Sequence, residues 1–296
     1  MIITRIEKDI NECERMWRAM VDDRDMFDVW EYRAAFFEAE HLTPHFIVAS
    51  EDGVDIGLLA LWHRKAEDWL EFFGGELMEH NRFQTTRRDV ASALLGALFG
   101  RYWLNYIETS ETELVALTQE DASYALDLSS FGSVDAYLAS FSGKHRKNLR
   151  RDLDAIQGLG PLVYLNRERD VDALIEITNE RFGSGSFLAN PLFVKGFRKL
   201  VDAARRRGEL HLISIEIGEK VVATQLAIEH RNVYTVLIGA ALSSPLNVGK
   251  RLIMEHLHNA DRLACRTVDF LSTEPGWKKL WNLTPTPNYE HCNFSD

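Results

Sequence analysis

Two apolar runs, residues 45–50 and 56–62, flank the polar triplet Glu51-Asp52-Gly53, a tight-turn signal that predicts a hairpin. The arrangement returns at 211–217 and 221–228 around Gly218-Glu219-Lys220. In the later run His211, Ile213, Ile215 and Ile217 alternate with Leu212, Ser214 and Glu216, the two-residue period of a strand. A third apolar strand follows each hairpin, at 69–73 and 233–240. Next comes an amphipathic helix. Val90, Leu94 and Leu98 stand four apart beside Ala93 and Ala97, and Ile253, Leu257, Ala260 and Ala264 mark one face of the later one. Each helix leads into a short strand, Trp103-Leu104-Asn105-Tyr106-Ile107 and Thr267-Val268-Asp269-Phe270-Leu271. His45 and His211 are 166 positions apart, and Asn105 and Asp269 are 164 apart. Agreement between such distant markers predicts a duplicated strand–strand–strand–helix–strand unit.

Ahead of the second hairpin, residues 162–165 read as a strand. Two helices follow, marked by Val171, Leu174, Ile175, Thr178 and Phe182 and by Phe193, Phe197, Leu200, Val201 and Ala204. After Asp269 the pattern predicts a short helix over 274–281 and a strand near 288–292. The first half is a plainer copy, with helices near 9–20 and 29–40 and closing strands at 113–117 and 123–128. The predicted class is α/β (α+β), with two tandem lobes, each a mixed, mostly antiparallel sheet flanked by helices. The boundaries read as an N-terminal lobe over 1–128, a connecting segment over 129–160, and a C-terminal lobe over 161–296.

Composition narrows the classes. The first seven residues show no basic region leading into a long apolar run, so no signal peptide is expected. No stretch approaches the ~20 apolar residues of a membrane span. Cys13, Cys265 and Cys292 are odd in number and far apart; they suit a reducing, cytoplasmic compartment and lack the spacing of a zinc site, so no metal is expected. A net charge of −11 argues against general binding of DNA or RNA. One segment runs the other way: residues 144–151 hold five Lys or Arg. On a helix Lys144, Lys147 and Arg151 share a face, suited to phosphate or else simply solvated. Neither G-x-G-x-x-G nor G-x-x-x-x-G-K-[ST] occurs, which disfavours a dehydrogenase or a kinase.

The order of elements resembles the GNAT acyltransferase fold, and the doubling resembles its FemAB-like branch, most closely the CelD-like acetyltransferase group. Five segments carry the resemblance. Ser142-Gly143-Lys144-His145-Arg146-Lys147-Asn148-Leu149-Arg150-Arg151 is similar to the family's serine-then-basic helix. Residues 218–226 are similar to its glycine turn and following strand, and Ser244-Pro245-Leu246-Asn247-Val248-Gly249-Lys250 to its segment ending in Ser-Pro-Gly. Asp269-Phe270-Leu271 and Trp277-Lys278-Lys279-Leu280-Trp281 resemble its closing Asp-Phe and Tyr-Lys-x-x-Trp elements. The match runs from about 40 to 282 with two departures. Of the usual phosphate motif only the final glycine survives, with Ser244, Asn247 and Gly249 in its place, and Trp277 replaces a tyrosine. The resemblance implies two GNAT-like lobes and an acetyl-CoA or other acyl-CoA donor. It implies N- or O-acyl transfer to an amine or hydroxyl of a small molecule or sugar in polysaccharide or envelope synthesis. A FemAB-like transferase using aminoacyl-tRNA is an alternative that the basic helix supports and the acidic total opposes. A non-catalytic GNAT-fold binding module is another, favoured by the reduced phosphate motif.

The loop over 241–249 joins a strand to a helix start, whose unpaired N–H groups and dipole suit a pyrophosphate. Asn247, Val248, Gly249, Lys250 and Arg251 are the expected donor-binding residues; the structural alternative is a turn and helix cap. The first lobe lacks such a loop, because its helix follows Phe83-Gln84-Thr85-Thr86-Arg87-Arg88 with Thr86 as the expected cap, and Gly74-Gly75 stand too far upstream. One donor site is therefore expected. The first lobe would contribute His80, Asn81 and Arg82 to the acceptor cleft, unless they form an ordinary polar loop. Acyl transfer needs a base, an acid and donors to the carbonyl oxygen. Glu229 is a candidate base, Tyr234 a proton donor and Asp269 a polar group near the donor loop; the resemblance puts Lys278 at the cleft. His211 and His230 read as core or edge histidines.

Overall fold

The computed structural model describes residues 1–242, 247–272 and 276–294. Along the chain its elements are β1 (Ile2–Glu7), α1 (Ile10–Met20), α2 (Trp30–Ala34), β2 (Leu42–Glu51), β3 (Val54–Arg64), β4 (Trp69–Phe72), α3 (Arg88–Gly96), β5 (Arg101–Ile107), β6 (Thr118–Gln119) and β7 (Ser123–Asp127). They continue as α4 (Val134–Ala139), α5 (Gly143–Gln157), β8 (Leu162–Leu165), α6 (Asp170–Phe182), α7 (Pro191–Arg207), β9 (Leu210–Ile217), β10 (Lys220–His230), β11 (Val233–Ala241), α8 (Val248–Arg262), β12 (Thr267–Asp269), β13 (Thr284–Thr286) and β14 (Tyr289–Cys292). Two compact units result: Met1–Ser123 with Ser272–Glu274 and Pro285–Asp296, and Tyr124–Leu271 with Pro275–Thr284.

Each unit is built on a seven-stranded sheet. One runs β1-β2-β3-β4-β5-β14-β6 and the other β13-β7-β12-β11-β10-β9-β8. In the first, β2–β3 and β3–β4 are antiparallel and β4–β5 parallel. In the second, β9–β10 and β10–β11 are antiparallel and β11–β12 parallel. The same strand order thus occurs twice, as the repeat in the sequence implies.

Local chemistry explains most boundaries. Asp9 caps α1 by accepting from the N–H groups of Asn11 and Glu12. Ser142 caps α5 through His145 N–H. α7 starts with an Asn190 cap and Pro191, and stops at Gly208 in the left-handed region. Thr86 does not cap α3; Arg87 holds that position without a side-chain bond. The helix expected over 29–40 stops at Ala34, where Phe36 and Phe37 both pack into one cluster although a helix would point neighbours about 100° apart. The helix expected over 274–281 is a 3-10 turn, Lys278–Trp281, and Glu274 lies outside the described residues.

In the first sheet β2 and β3 are buried on both faces, which is why they read as continuous apolar runs. Ile47, Ala49, Leu59 and Leu61 face α3 with Val90 and Leu94; Phe46, Val48, Leu58, Ala60 and Trp62 face Trp17 and Trp30. The split follows the two-residue period of a strand. In the second unit Val248 and Leu252 of α8 pack on Ile213, Ile215 and Ala223.

The closing strands differ from expectation. Residues 113–117 form no strand, since a 3-10 turn over Thr109–Glu113 precedes them and the buried Glu111 is fixed by Phe83 N–H at 3.0 Å. The strand at 123–127 lies beside β12 in the second sheet, Val268 opposite Leu126. Conversely β14 lies beside β5 in the first, Tyr289 opposite Ile107. Each sheet therefore takes one strand from the other half of the sequence. A chain truncated after Thr284 should lose the cooperative thermal transition of the first unit, because β14 is an interior strand between β5 and β6. Differential scanning calorimetry that finds the parent's transitions intact would contradict this.

Candidate functional site: an open strand cleft and a helix start

In both sheets the parallel pair separates after a few residues. β4 and β5 share two pairings, Trp69 with Arg101 and Leu70 with Tyr102. Beyond them the gap is filled by the chain itself. Asn81 bridges in parallel to Ile107, donating its N–H to Tyr106 O (2.9 Å) and accepting from Glu108 N (3.0 Å). Its side chain donates to Met78 O and Asn105 O and accepts from Arg33, so it is saturated. Arg82 is buried against Asp28, with Glu108 at 3.6 Å. Asn81 and Arg82 thus close this gap and are not free to line an acceptor cleft. His80, at φ 55°, sits 2.9 Å from Asp25 in a group with Glu108 that Arg24 and Arg82 neutralise.

The second sheet is different. β11 and β12 pair through Val233–Thr267, Tyr234–Val268 and Thr235–Asp269. β11 then runs on to Ala241 with no strand on that side among the described residues. Leu237 is an extra residue relative to β10, because Leu226 pairs with Ile238 and Ala227 with Val236. Such a bulge bends a strand and re-aims its N–H groups, and it falls beside the opening. Gly239 keeps β11 close to β10: a Cβ there would stand 2.4 Å from Thr224 O.

At the far end of β11 begins α8. Ser243, Ser244, Pro245 and Leu246 lie outside the described residues. Asn247 precedes the helix at φ 52° without a side-chain capping bond, so it serves through left-handed backbone rather than as a cap. Val248 is buried, and among the described residues a Cβ on Gly249 would meet only Ala241 Cβ, at 4.0 Å. Lys250 is paired with Asp152 of α5 at 2.6 Å and Arg251 with Glu255 at 2.6 Å. Arg151 also binds Asp152, at 2.9 Å. At about 100° per residue, Lys144, Lys147 and Arg151 project opposite the buried Leu149 and Ile156, towards solvent. Lys144 and Lys147 are exposed and have no ion-pair partner among the described residues.

The four expected catalytic residues separate. Asp269 is buried at the point where β11 and β12 part, accepting from Leu271 N at 2.8 Å. Lys278 is buried in the same unit and donates to Phe270 O (2.8 Å) and Leu271 O (2.7 Å), holding the chain just past β12. Glu229 stands at the closed end, accepting from Asn232 N in the β10–β11 turn. From its partner Tyr234 to Ala241 the strand covers about 23 Å at ~3.3 Å per residue. Glu229 is therefore remote from the helix start.

Tyr234 is fully buried, and burial raises its pKa above the ordinary value. Asn259 donates to Tyr234 Oη and to His211 Nδ1, both at 3.1 Å, and Tyr234 Oη lies 2.9 Å from His256 Nδ1. His211 then accepts at Nδ1 and must be neutral. Burial pushes His211 down to about 4 and His256 to about 3. Sequence reasoning read His211 as structural and missed His256, which the apolar helix face concealed.

Residues 143–279 match the family model described as Acetyltransferase (GNAT) domain. No curated protein matches the sequence. Among solved structures the chain is similar to FemX at 12% identity, over 98% of this chain and 97% of that one, with a TM-score of 0.61. It is similar to L-PGS from Bacillus licheniformis at 11% identity, over 96% and 91%, TM-score 0.61. A tandem GNAT protein from the clavulanic acid biosynthesis pathway matches at 9%, over all of both chains, TM-score 0.60. The family model and these structures together show a GNAT fold. More narrowly, it is the tandem, FemAB-like form of that fold.

The histidine network sets a pH response. Both rings have folded pKa values below the ~6.5 of an unfolded histidine, so the unfolded chain binds more protons below that pH. Their contribution to stability is present above pH ~6.5 and is lost as pH falls through that value towards 4, at up to about 1.4 kcal/mol per pH unit per ring. Melting curves of a His256→Phe variant should therefore show a shallower acid slope than the parent; equal slopes would remove His256 from the response.

Proposed function

We propose that this chain is an acyl-CoA-dependent N- or O-acyltransferase with one donor site, in the second unit. The observation that carries the reading is the free side of β11 beyond Thr235, which leads to the open helix start at Val248, Gly249 and Lys250. An extended pantetheine arm can pair with that strand edge as an added strand would. The pyrophosphate then meets the N–H groups of α8. The dipole alone supplies only about 0.3–1 kcal/mol, less than a factor of ten in affinity, so several N–H bonds at roughly 1.5–3 kcal/mol each must add to it. The N–H groups at the Leu237 bulge are suited to the thioester oxygen. The acceptor's lone pair attacks the thioester carbon, the C–S bond breaks, and the thiolate takes a proton as it leaves. Asp269, where the strands part, is the candidate to receive the acceptor's proton. Lys278 acts as a positioning residue by fixing the end of β12. The CelD-like resemblance makes a sugar amine or hydroxyl in polysaccharide or envelope synthesis the acceptor class, in the cytoplasm.

Gly249→Glu tests the donor site. Its side chain enters open space, so the fold should persist while an anion occupies the phosphate position. Calorimetry should show acetyl-CoA binding lost with the far-UV circular dichroism spectrum kept. Lys250→Ala should weaken binding only modestly, because backbone groups make most of the contact and Arg151 still neutralises Asp152. A Gly249→Glu protein that binds acetyl-CoA like the parent places the donor elsewhere.

One observation favours a second reading, transfer from aminoacyl-tRNA: Lys144 and Lys147 of α5 face solvent and have no ion-pair partner among the described residues. If that reading holds, charged tRNA shifts the protein on a gel, and replacing Lys144, Lys147 and Arg151 by Ala weakens the complex and flattens its salt dependence. A complex indifferent to the three replacements contradicts it.

A further inference from the structure

The face of the first sheet that meets α3 changes character at one end. β2 presents Ala49 and Ile47 there, then His45 and Thr43; β3 presents Leu59 and Leu61, then His63; β4 presents Phe72, then Leu70. α3 ends at Gly96. Beside this polar end lies a cavity of about 350 Å3 whose lining includes Lys8, His45, His63, Leu70, Phe99 and Arg101.

His45 is the unexpected member. It is 4% exposed, its Nε2 has no hydrogen-bond partner, and its ring meets Phe99 edge-on at 5.6 Å. A buried ring nitrogen without a partner costs stability unless something else supplies the bond. Burial, with Lys8 and His63 nearby, holds its pKa at about 4, so the ring is neutral and has one N–H to give. The cations around it are uncommitted. Arg101 lies 4.3 Å over the ring of Phe294, and among the described residues neither it nor Lys8 Nζ pairs with a carboxylate. Asp68, also in the lining, is engaged by His63 at 2.9 Å. The Asp68 carboxylate and the C-terminus of α3, about half a negative charge, stand against two full positive ones. In a chain of net charge −11 this is a local reversal of sign. The other wall is apolar, with Leu70 buried and Phe99 left 62% exposed.

We propose that this cavity binds a small organic anion, its carboxylate or phosphate held by Lys8 and Arg101 with the neutral His45 ring donating its one N–H, and its apolar body lying on Leu70 and Phe99. The site belongs to the unit without the proposed donor cleft and stands independently of that reading. Its volume is at the small end of ligand pockets, which suits a single ring or short chain rather than a nucleotide.

Calorimetric titration of the full chain with benzoate, phenyl phosphate and inorganic phosphate tests the proposal. Saturable binding of at least one organic anion is expected, tighter than that of inorganic phosphate, which has no body for the apolar wall. Whichever of benzoate and phenyl phosphate binds more tightly identifies the headgroup. Replacing both exposed cations, Lys8→Ala with Arg101→Ala, should weaken binding about tenfold or more while leaving the melting temperature unchanged. Lys144→Ala with Lys147→Ala should leave the affinity unchanged. In nitrogen-15 spectra the His45 ring signal should move on saturation. The proposal is overturned if neither organic anion binds, if the Lys8 and Arg101 replacements leave the affinity intact, if the Lys144 and Lys147 replacements remove it, or if the His45 signal stays in place.

Discussion

Both units are organised by the same constraint: a parallel strand pair that separates leaves backbone N–H and C=O groups facing a gap, and buried groups of that kind must be paired. The two sheets meet it differently. Between β4 and β5 the chain supplies its own partner, Asn81, whose main chain bridges Tyr106 and Glu108 and whose side chain is saturated. Between β11 and β12 no described strand fills the gap, and α8 begins at its open end. The proposed extended donor with an anionic end would meet both requirements, one along the strand and the other at the helix start. Among the described residues one copy of the motif is thus plugged and the other open.

Closing the first gap brings charge inside. Arg33 and Arg82 are buried with Asp25, Asp28 and Asn81 around it, Arg33 donating to Asn81 and Arg82 to Asp28. Away from its own gap the second unit also buries an uncharged chain of His211, Asn259, Tyr234 and His256. A neutral network of this kind fixes rings and register at little electrostatic cost near neutral pH. It also withdraws Tyr234 from proton transfer, since its hydroxyl is fully committed and inaccessible.

The basic helix α5 divides its charges by direction. Asp152 turns towards α8 and meets Lys250, while Arg146 donates to the carbonyls of Ala139 and Phe141. Lys144 and Lys147 point away from the core. A cluster that looks uniform in sequence is thus part structural pairing and part solvent-facing surface, and only the second part is available to an anionic partner.

The sequence by itself determined the local elements and their repetition. Period-two runs such as His211–Ile217 and the turn at Glu51-Asp52-Gly53 act between near neighbours, so spacing exposes them. It also marked Gly249 as a place for close backbone approach and the lack of a comparable loop in the first half. Only the tertiary structure decided which strand lies beside which. β7 and β14 carry no local sign that each completes the sheet of the other half, because strand pairing joins backbone groups that are alike in every residue and far apart in the chain. The same holds for Tyr234, His256 and Lys278. Their residue types allow chemistry, but whether each hydroxyl, ring or amine reaches solvent or is spent on a neighbour depends on packing that a one-dimensional pattern does not contain.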